Sequence, residues 1–228
     1  MTEKKEPAAP RALITAARAL AAAGLNAGAA GNVSCRAPSP EGEEGFWITP
    51  SGMNYATLRV KDIPWVRLDG AARGLCQPSS EWRIHRDIYL NRAEIGAVAH
   101  THSPFATALS CFRRDIPPFH YMIARFGGDT VRCAAYAPFG SEALSRRALE
   151  ALAGRSACLL ANHGAVACGS ALTEAVSRCA ELETLCQQYH LASQLGEPTL
   201  LSAEEMRAVH AQFQSYGQKS SACPRLPR

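Results

Sequence analysis

Residues 95–102 read Ile95-Gly96-Ala97-Val98-Ala99-His100-Thr101-His102, an apolar run that ends in two histidines one residue apart. Side chains on a strand alternate between faces, so His100 and His102 share a face and both imidazoles can reach a single metal ion. A second run of the same kind, Cys158-Leu159-Leu160-Ala161-Asn162, ends in His163. Two strands that each deliver histidine from their ends suit a three-imidazole site with one position open to substrate. Read alone, His-x-His also fits a chance pair on a half-buried strand, so the surrounding chain has to decide.

Outward from these two strands, helical and extended patterns interleave. Residues 10–23 read as an alanine- and leucine-rich helix, with Pro10 in its first turn and Gly24 at its end. Residues 28–34 lead into a strand. Residues 46–49 form a second, closed by the Pro50-Ser51-Gly52 turn, and 65–68 a third, stopped by Asp69-Gly70. Ser80 caps a helix with its body at 82–91 and with Ile84, Ile88 and Tyr89 at helical spacing. A short helix over 103–111 precedes a loop-rich stretch over 116–136, a helix over 141–152 and a hairpin return at 166–168. Residues 172–195 read as a long helix, and Ser202-Ala203-Glu204-Glu205 is a capping box that opens a last one. This interleaving implies a layered α/β fold, with strand-turn-strand units between 32 and 68 making much of the sheet antiparallel. The pattern predicts one domain over 10–217, a disordered tail over 1–9 and a flexible basic tail over 218–228.

Composition excludes several classes. At 228 residues, 47% hydrophobic and 19% charged, the chain has the makeup of a soluble globular domain with a substantial core. The net charge of +4 is small and gathers at Lys219, Arg225 and Arg228, so there is no nucleic-acid footprint. No apolar run reaches the ~18 residues of a membrane span. The apolar stretch 12–25 is broken by Arg18 and lacks a basic leader, so no signal peptide is expected. The nine cysteines are scattered, without a Cys-x-x-Cys pair, and fit buried thiols in a reducing compartment. A cytoplasmic protein without nucleic-acid or membrane partners is expected.

Glu81, at the start of the 82–91 helix, joins the histidines as a candidate fourth ligand or proton carrier. Read alone, it is a first-turn acid that complements the helix dipole. His85 reads as a packing or hydrogen-bonding residue, and His120, His190 and His210 as structural or solvated. Gly31-Asn32, Ser51-Gly52 and Ser79-Ser80 place N–H and hydroxyl donors at turns or a helix start, where they can cradle a phosphate. Each pair taken singly is also ordinary turn chemistry. The absence of Walker-type, Gly-x-Gly-x-x-Gly and Gly-x-Ser-x-Gly motifs argues against a nucleotide site and a serine nucleophile. Lys61, the one lysine away from the tails, lies in an exposed setting that disfavours Schiff-base chemistry.

A series of stretches now falls into place. It runs through Gly24-Leu25-Asn26, Gly31-Asn32-Val33-Ser34, Ile48-Thr49-Pro50-Ser51-Gly52 and Pro78-Ser79-Ser80-Glu81-Trp82-Arg83. It continues with Val98-Ala99-His100-Thr101-His102, Phe119-His120-Tyr121-Met122-Ile123-Ala124 and Tyr136-Ala137-Pro138-Phe139-Gly140, and ends with Leu159-Leu160-Ala161-Asn162-His163-Gly164 and Phe213-Gln214-Ser215-Tyr216-Gly217. In these stretches, in order and spacing, the chain resembles the class II aldolase/adducin family, and within it the bacterial L-fuculose-1-phosphate aldolases. The resemblance implies a three-layer α/β/α sandwich around a mostly antiparallel sheet. It implies one zinc ion (Zn2+) per subunit on His100, His102 and His163, with Glu81 as a ligand of the resting site that swings away to act as acid/base. Gly31, Asn32, Ser51, Gly52, Ser79 and Ser80 match phosphate-binding positions. Tyr121 matches a tyrosine that reaches a neighbouring subunit's site and handles the C4-oxygen proton, and Phe139 and Tyr216 match aldehyde-side residues.

The implied reaction is cleavage of a ketose 1-phosphate, such as L-fuculose 1-phosphate, into dihydroxyacetone phosphate and an aldehyde, in a fourfold homotetramer. The same chemistry on 5-deoxyribulose or 5-methylthioribulose 1-phosphate is an alternative, as are a pentulose-phosphate 4-epimerase, a methylthioribulose-phosphate dehydratase and a non-catalytic adducin-like module. Glu81 stands where such epimerases carry aspartate, and the adducin-like module lacks the metal histidines. Ala29 replaces a threonine of many relatives and removes one hydroxyl donor beside the phosphate.

Overall fold

Short apolar runs bounded by turn residues become one eight-stranded sheet in the computed structural model, which describes residues 8–215. In chain order the strands are β1 (Asn32–Arg36), β2 (Gly45–Ile48), β3 (Trp65–Arg67), β4 (Ala72–Arg73), β5 (Ala97–Thr101), β6 (Cys133–Ala134), β7 (Ala157–Leu160) and β8 (Gly164–Gly169). They lie in the order β4-β3-β2-β1-β5-β8-β7-β6, antiparallel throughout except for β6 beside β7. The helices are α1 (Ala8–Ala22), α2 (Trp82–Asn91), α3 (Pro104–Ser110), α4 (Glu142–Ala151), α5 (Leu172–Gln194) and α6 (Ala203–Ser215).

Alternation along the strands sorts the interior into two cores. Val33, Ala97, Ala99, Leu159 and Ala167 face one side and pack with Leu13 and Leu20 of α1 and Leu182 of α5. Val98, Leu160, Val166 and Cys168 face the other, against Ile84 and Ile88 of α2 and Leu144 and Ala148 of α4. Helices therefore cover both faces, the three-layer sandwich that the resemblance implies. Each fully buried leucine, isoleucine or valine stabilises this arrangement by ~1.5–3 kcal/mol. Alanines in the middle of β5 and β8 let α5 lie close, and its buried Ala175, Cys179, Leu182 and Cys186 recur at helical spacing.

Several local expectations are refined. Ala8 and Ala9 already belong to α1 and not to a tail; the rest of the predicted tails lies outside the described residues. Ser80 does not cap α2. Glu81 takes the N-cap position without a side-chain cap bond, and Ser79 Oγ accepts from the Glu81 N–H at 3.3 Å. The capping box of α6 forms as read, with Glu205 N–H to Ser202 Oγ at 3.2 Å and Ser202 N–H to the Glu205 carboxylate at 2.7 Å. The loop-rich stretch contains a 3-10 segment, Tyr121–Phe126, and the short strand β6. Among the described residues no helix is long and apolar enough to cross a membrane, and Cys35, Cys76, Cys111, Cys133, Cys158, Cys168, Cys179 and Cys186 are free thiols.

Candidate active site

The strand register brings the chemistry together. Asn32 on β1 lies directly opposite His100 on β5, and His102 leaves the end of β5. His163 sits in the tight turn between β7 and β8. Asn162 adopts a left-handed φ of 54° there, a conformation asparagine tolerates better than most residues. A Cβ on Gly164 would stand 2.2 Å from the Thr101 carbonyl oxygen, so only glycine lets this turn close onto the end of β5. The three imidazoles meet edge to face, with ring centroids 4.8–5.0 Å apart. From the other layer Glu81 places Oε2 3.1 Å from His100 Nε2 and Oε1 3.3 Å from His163 Nε2. One ligand atom from each of these four residues lies within 4.8 Å of the others.

The donor set fits a divalent ion such as zinc. His100 Nδ1 faces the Ala165 carbonyl at 2.9 Å, so this nitrogen carries the proton and Nε2 is turned into the cluster. His100 and His102 Nε2 stand 2.9 Å apart; ligands at Zn–N distances of ~2.0–2.1 Å in a tetrahedral site are separated by about 3.3 Å. Glu81 Oε1 is buried and has no hydrogen-bond donor of its own. Burial alone would raise the Glu81 carboxyl pKa, but His100, then His163 and the Asn32 amide, hold it down at about 2. Burial, reinforced by the neighbouring His100 and His163, lowers His102 to about 4, and burial and His100 lower His163 as well. For His100 burial acts downward, yet the Glu81 carboxylate outweighs it and raises the pKa.

The cluster ends a cavity of about 360 Å³. Gly31, Asn32, Ser51, Gly52, Ser79, Ser80, Glu81, His102, His163 and Phe139 all line it, so nearly every predicted site residue converges. His100 is fully buried behind it. Among the described residues no lysine or arginine lines the cavity; away from the histidines its wall includes Ser51, Ser79, Ser80 and the glycines Gly31 and Gly52. Tyr121 is not part of it. That residue is half-exposed, stacks near Phe213 at 6.3 Å, and lines a separate hollow with Met122 and Arg125. Tyr216 lies outside the described residues.

Some contributors are not singled out by the sequence. Thr49 ties the end of β2 to β1 and to the stretch before α2: its N–H donates to Val33 O at 2.9 Å, its Oγ1 accepts from Val33 N–H at 3.1 Å, and its O accepts from Ser79 N–H at 3.1 Å. Asn26 Oδ1 accepts from the His102 N–H at 3.0 Å and lies under Gly31, where any Cβ would stand 2.4 Å from it. Tyr136 and Ala137 join Phe139 at the rim. His85 is hydrogen-bonded as read, and His120, His190 and His210 pair with the Met122 N–H, the Phe105 ring and Asp129 respectively, away from the cluster.

Residues 11–190 match the family described as Class II Aldolase and Adducin N-terminal domain. The chain is 49% identical over 205 residues to the 5-methylthioribulose-1-phosphate/5-deoxyribulose-1-phosphate aldolase of Rhodospirillum rubrum, covering 90% of each chain. It is 40% identical over 195 residues to the L-fuculose phosphate aldolase of Escherichia coli K12, covering 85% of this chain and 88% of that one. A solved structure of an L-fuculose 1-phosphate aldolase superposes with a TM-score of 0.85 at 35% identity, covering 94% of this chain and all of that one.

Proposed function

We propose a ketose 1-phosphate as the substrate of this chain, which belongs to the class II aldolase and adducin N-terminal domain family and is a metal-dependent aldolase. The observation that carries this reading is one cavity with two unlike ends. At one end Glu81, His102 and His163 line it with His100 buried beside them; at the other stand Gly31, Ser51, Gly52, Ser79 and Ser80, with no basic side chain among the described residues. In this reading His100, His102, His163 and resting Glu81 hold zinc, one ion per subunit. The bound ion supplies Lewis-acid stabilisation of the negative charge that develops as the C3–C4 bond breaks. Gly31, Asn32, Ser51, Gly52, Ser79 and Ser80 bind and orient the phosphate, Glu81 moves the proton at C3, and Tyr121 of a neighbouring subunit takes the C4 hydroxyl proton. The products are dihydroxyacetone phosphate and an aldehyde.

The aldehyde half favours 5-methylthioribulose or 5-deoxyribulose 1-phosphate over L-fuculose 1-phosphate. The more similar of the two named relatives acts on that pair. The rim residues Tyr136, Ala137 and Phe139 suit an apolar tail, whereas the tail of L-fuculose 1-phosphate carries a further hydroxyl. The zinc-loaded protein should be assayed against the three ketose 1-phosphates and their unphosphorylated ketoses. Highest kcat/KM on the methylthio or deoxy substrate is expected, with far slower cleavage of unphosphorylated sugars. Preference for L-fuculose 1-phosphate would reverse the choice of aldehyde, and equal rates without phosphate would remove the cradle.

A further inference from the structure

From Glu81 and Asn32 at the cavity wall, a line of polar side chains runs into the otherwise apolar core between α2 and the sheet. α2 and its N-cap contribute Glu81, His85 and Tyr89, each one turn from the next; β1 contributes Asn32 and Ser34 from one face. None of the five is more than 6% exposed. The direction of each hydrogen bond follows from chemistry. A carboxylate only accepts, so the Asn32 atom 3.1 Å from Glu81 Oε2 is the amide nitrogen. The amide oxygen therefore faces His85 Nε2 at 2.5 Å, and that nitrogen must carry the proton. Complete burial, and then the charge of His100, push the His85 pKa down to about 3, so the ring is neutral and Nδ1 accepts. The Ser34 hydroxyl, 2.6 Å away, donates to Nδ1, and the Ser34 oxygen takes the O–H of Tyr89 at 2.7 Å. Every donor points one way: Tyr89 to Ser34, to His85, to Asn32, to Glu81.

The amide is the element of this line that can reverse. Turned over, Asn32 would aim its oxygen at the carboxylate and repel it. We infer that His85 is a positioning residue: by donating from Nε2 it locks the Asn32 amide, whose nitrogen then orients the Glu81 carboxylate beside the histidines, the resting position from which it moves to the substrate proton. The inference rests on the reading of Glu81 as the acid/base.

Two substitutions separate positioning from packing. In His85→Gln the amide nitrogen reaches about the place of Nε2 and can still donate to Asn32. In His85→Asn the shorter side chain reaches only the Nδ1 position and leaves the Asn32 oxygen without a donor. With 5-methylthioribulose 1-phosphate, His85→Asn should lower kcat about tenfold, the scale of one lost buried hydrogen bond, with zinc content unchanged; any rise in KM through the phosphate contact of Asn32 should accompany that fall in kcat. His85→Gln should recover most of that loss. Equal kcat in the two variants, or a change confined to KM, would overturn the inference. In the unsubstituted protein, imidazole nitrogen shifts should report a neutral His85 protonated at Nε2. Protonation at Nδ1 would overturn the inference whether or not either variant folds. A Glu81→Gln control keeps the two readings apart. Normal turnover in the control would sink the role of Glu81 itself, while a dead control beside a fully active His85→Asn would sink only the positioning role.

Discussion

A carboxylate as deeply buried as that of Glu81 persists only where charged and polar partners face it. His100, His163 and Asn32 supply those partners, and the cost of breaking such an arrangement shows which residue does what. Glu81→Gln preserves size and the Asn32 contact on one oxygen but removes the proton carrier. It should keep the fold and most of the metal while turnover falls on the order of 10²-fold or more, measured by release of dihydroxyacetone phosphate. Near-normal turnover would reduce Glu81 to a first-turn acid. His102→Ala should lose stoichiometric zinc by metal analysis, and retained zinc would mean that the ligand set is wrong. The titration behaviour gives a sign as well. With Glu81 at about 2 and His102 at about 4, both are unprotonated at neutral pH, and His163 is lowered too; the raised His100 is the ligand left to give up a proton. Zinc affinity should therefore weaken as pH falls through the His100 pKa, by no more than about tenfold per unit, since one proton is displaced. Steeper dependence in a titration between pH 8 and 6 would show that more ligands are protonated.

At the scale of elements, the turn between β7 and β8 sets the site. Gly164→Ala places a Cβ 2.2 Å from a backbone oxygen and 3.3 Å from the His102 ring, and neither strand can give without moving a histidine. The substitution should cost about 1–3 kcal/mol in denaturant unfolding, as overpacking does, and should weaken metal binding in parallel. Unchanged stability with unchanged zinc would mean that the strand ends are looser than this packing implies. The same elements mark how far the sequence can be read. His100, His102 and the buried runs around them were legible because strand alternation is local, and the capping box at Ser202 and Glu205 because its spacing is fixed. The seam of Ser34, His85 and Tyr89 was not, since its partners are 51 and 55 residues apart and only register makes them neighbours. Ser80 was misread as a cap because a serine before a helix is a good N-cap by propensity, while the backbone here gives that position to Glu81.

For the whole molecule, the cavity formed by the described residues of one chain is lined by Glu81, His102, His163 and the proposed phosphate-binding residues but not by Tyr121. The fourfold homotetramer that the resemblance implies would place that tyrosine in a neighbouring subunit's site. Tyr121→Phe and His102→Ala, each inactive alone, should then regain partial activity when mixed under conditions that exchange subunits. Confirmed exchange by mass without any return of activity would place Tyr121 in its own chain's chemistry or outside it. The central claim is simpler: the four-residue cluster holds the ion on which carbon–carbon cleavage depends. It is tested most directly by stripping the protein with a chelator and restoring zinc stepwise while bound zinc and dihydroxyacetone phosphate release from 5-methylthioribulose 1-phosphate are followed together. The account predicts activity that rises in proportion to bound zinc and saturates at one ion per chain. Full-rate cleavage by the metal-free protein would contradict it.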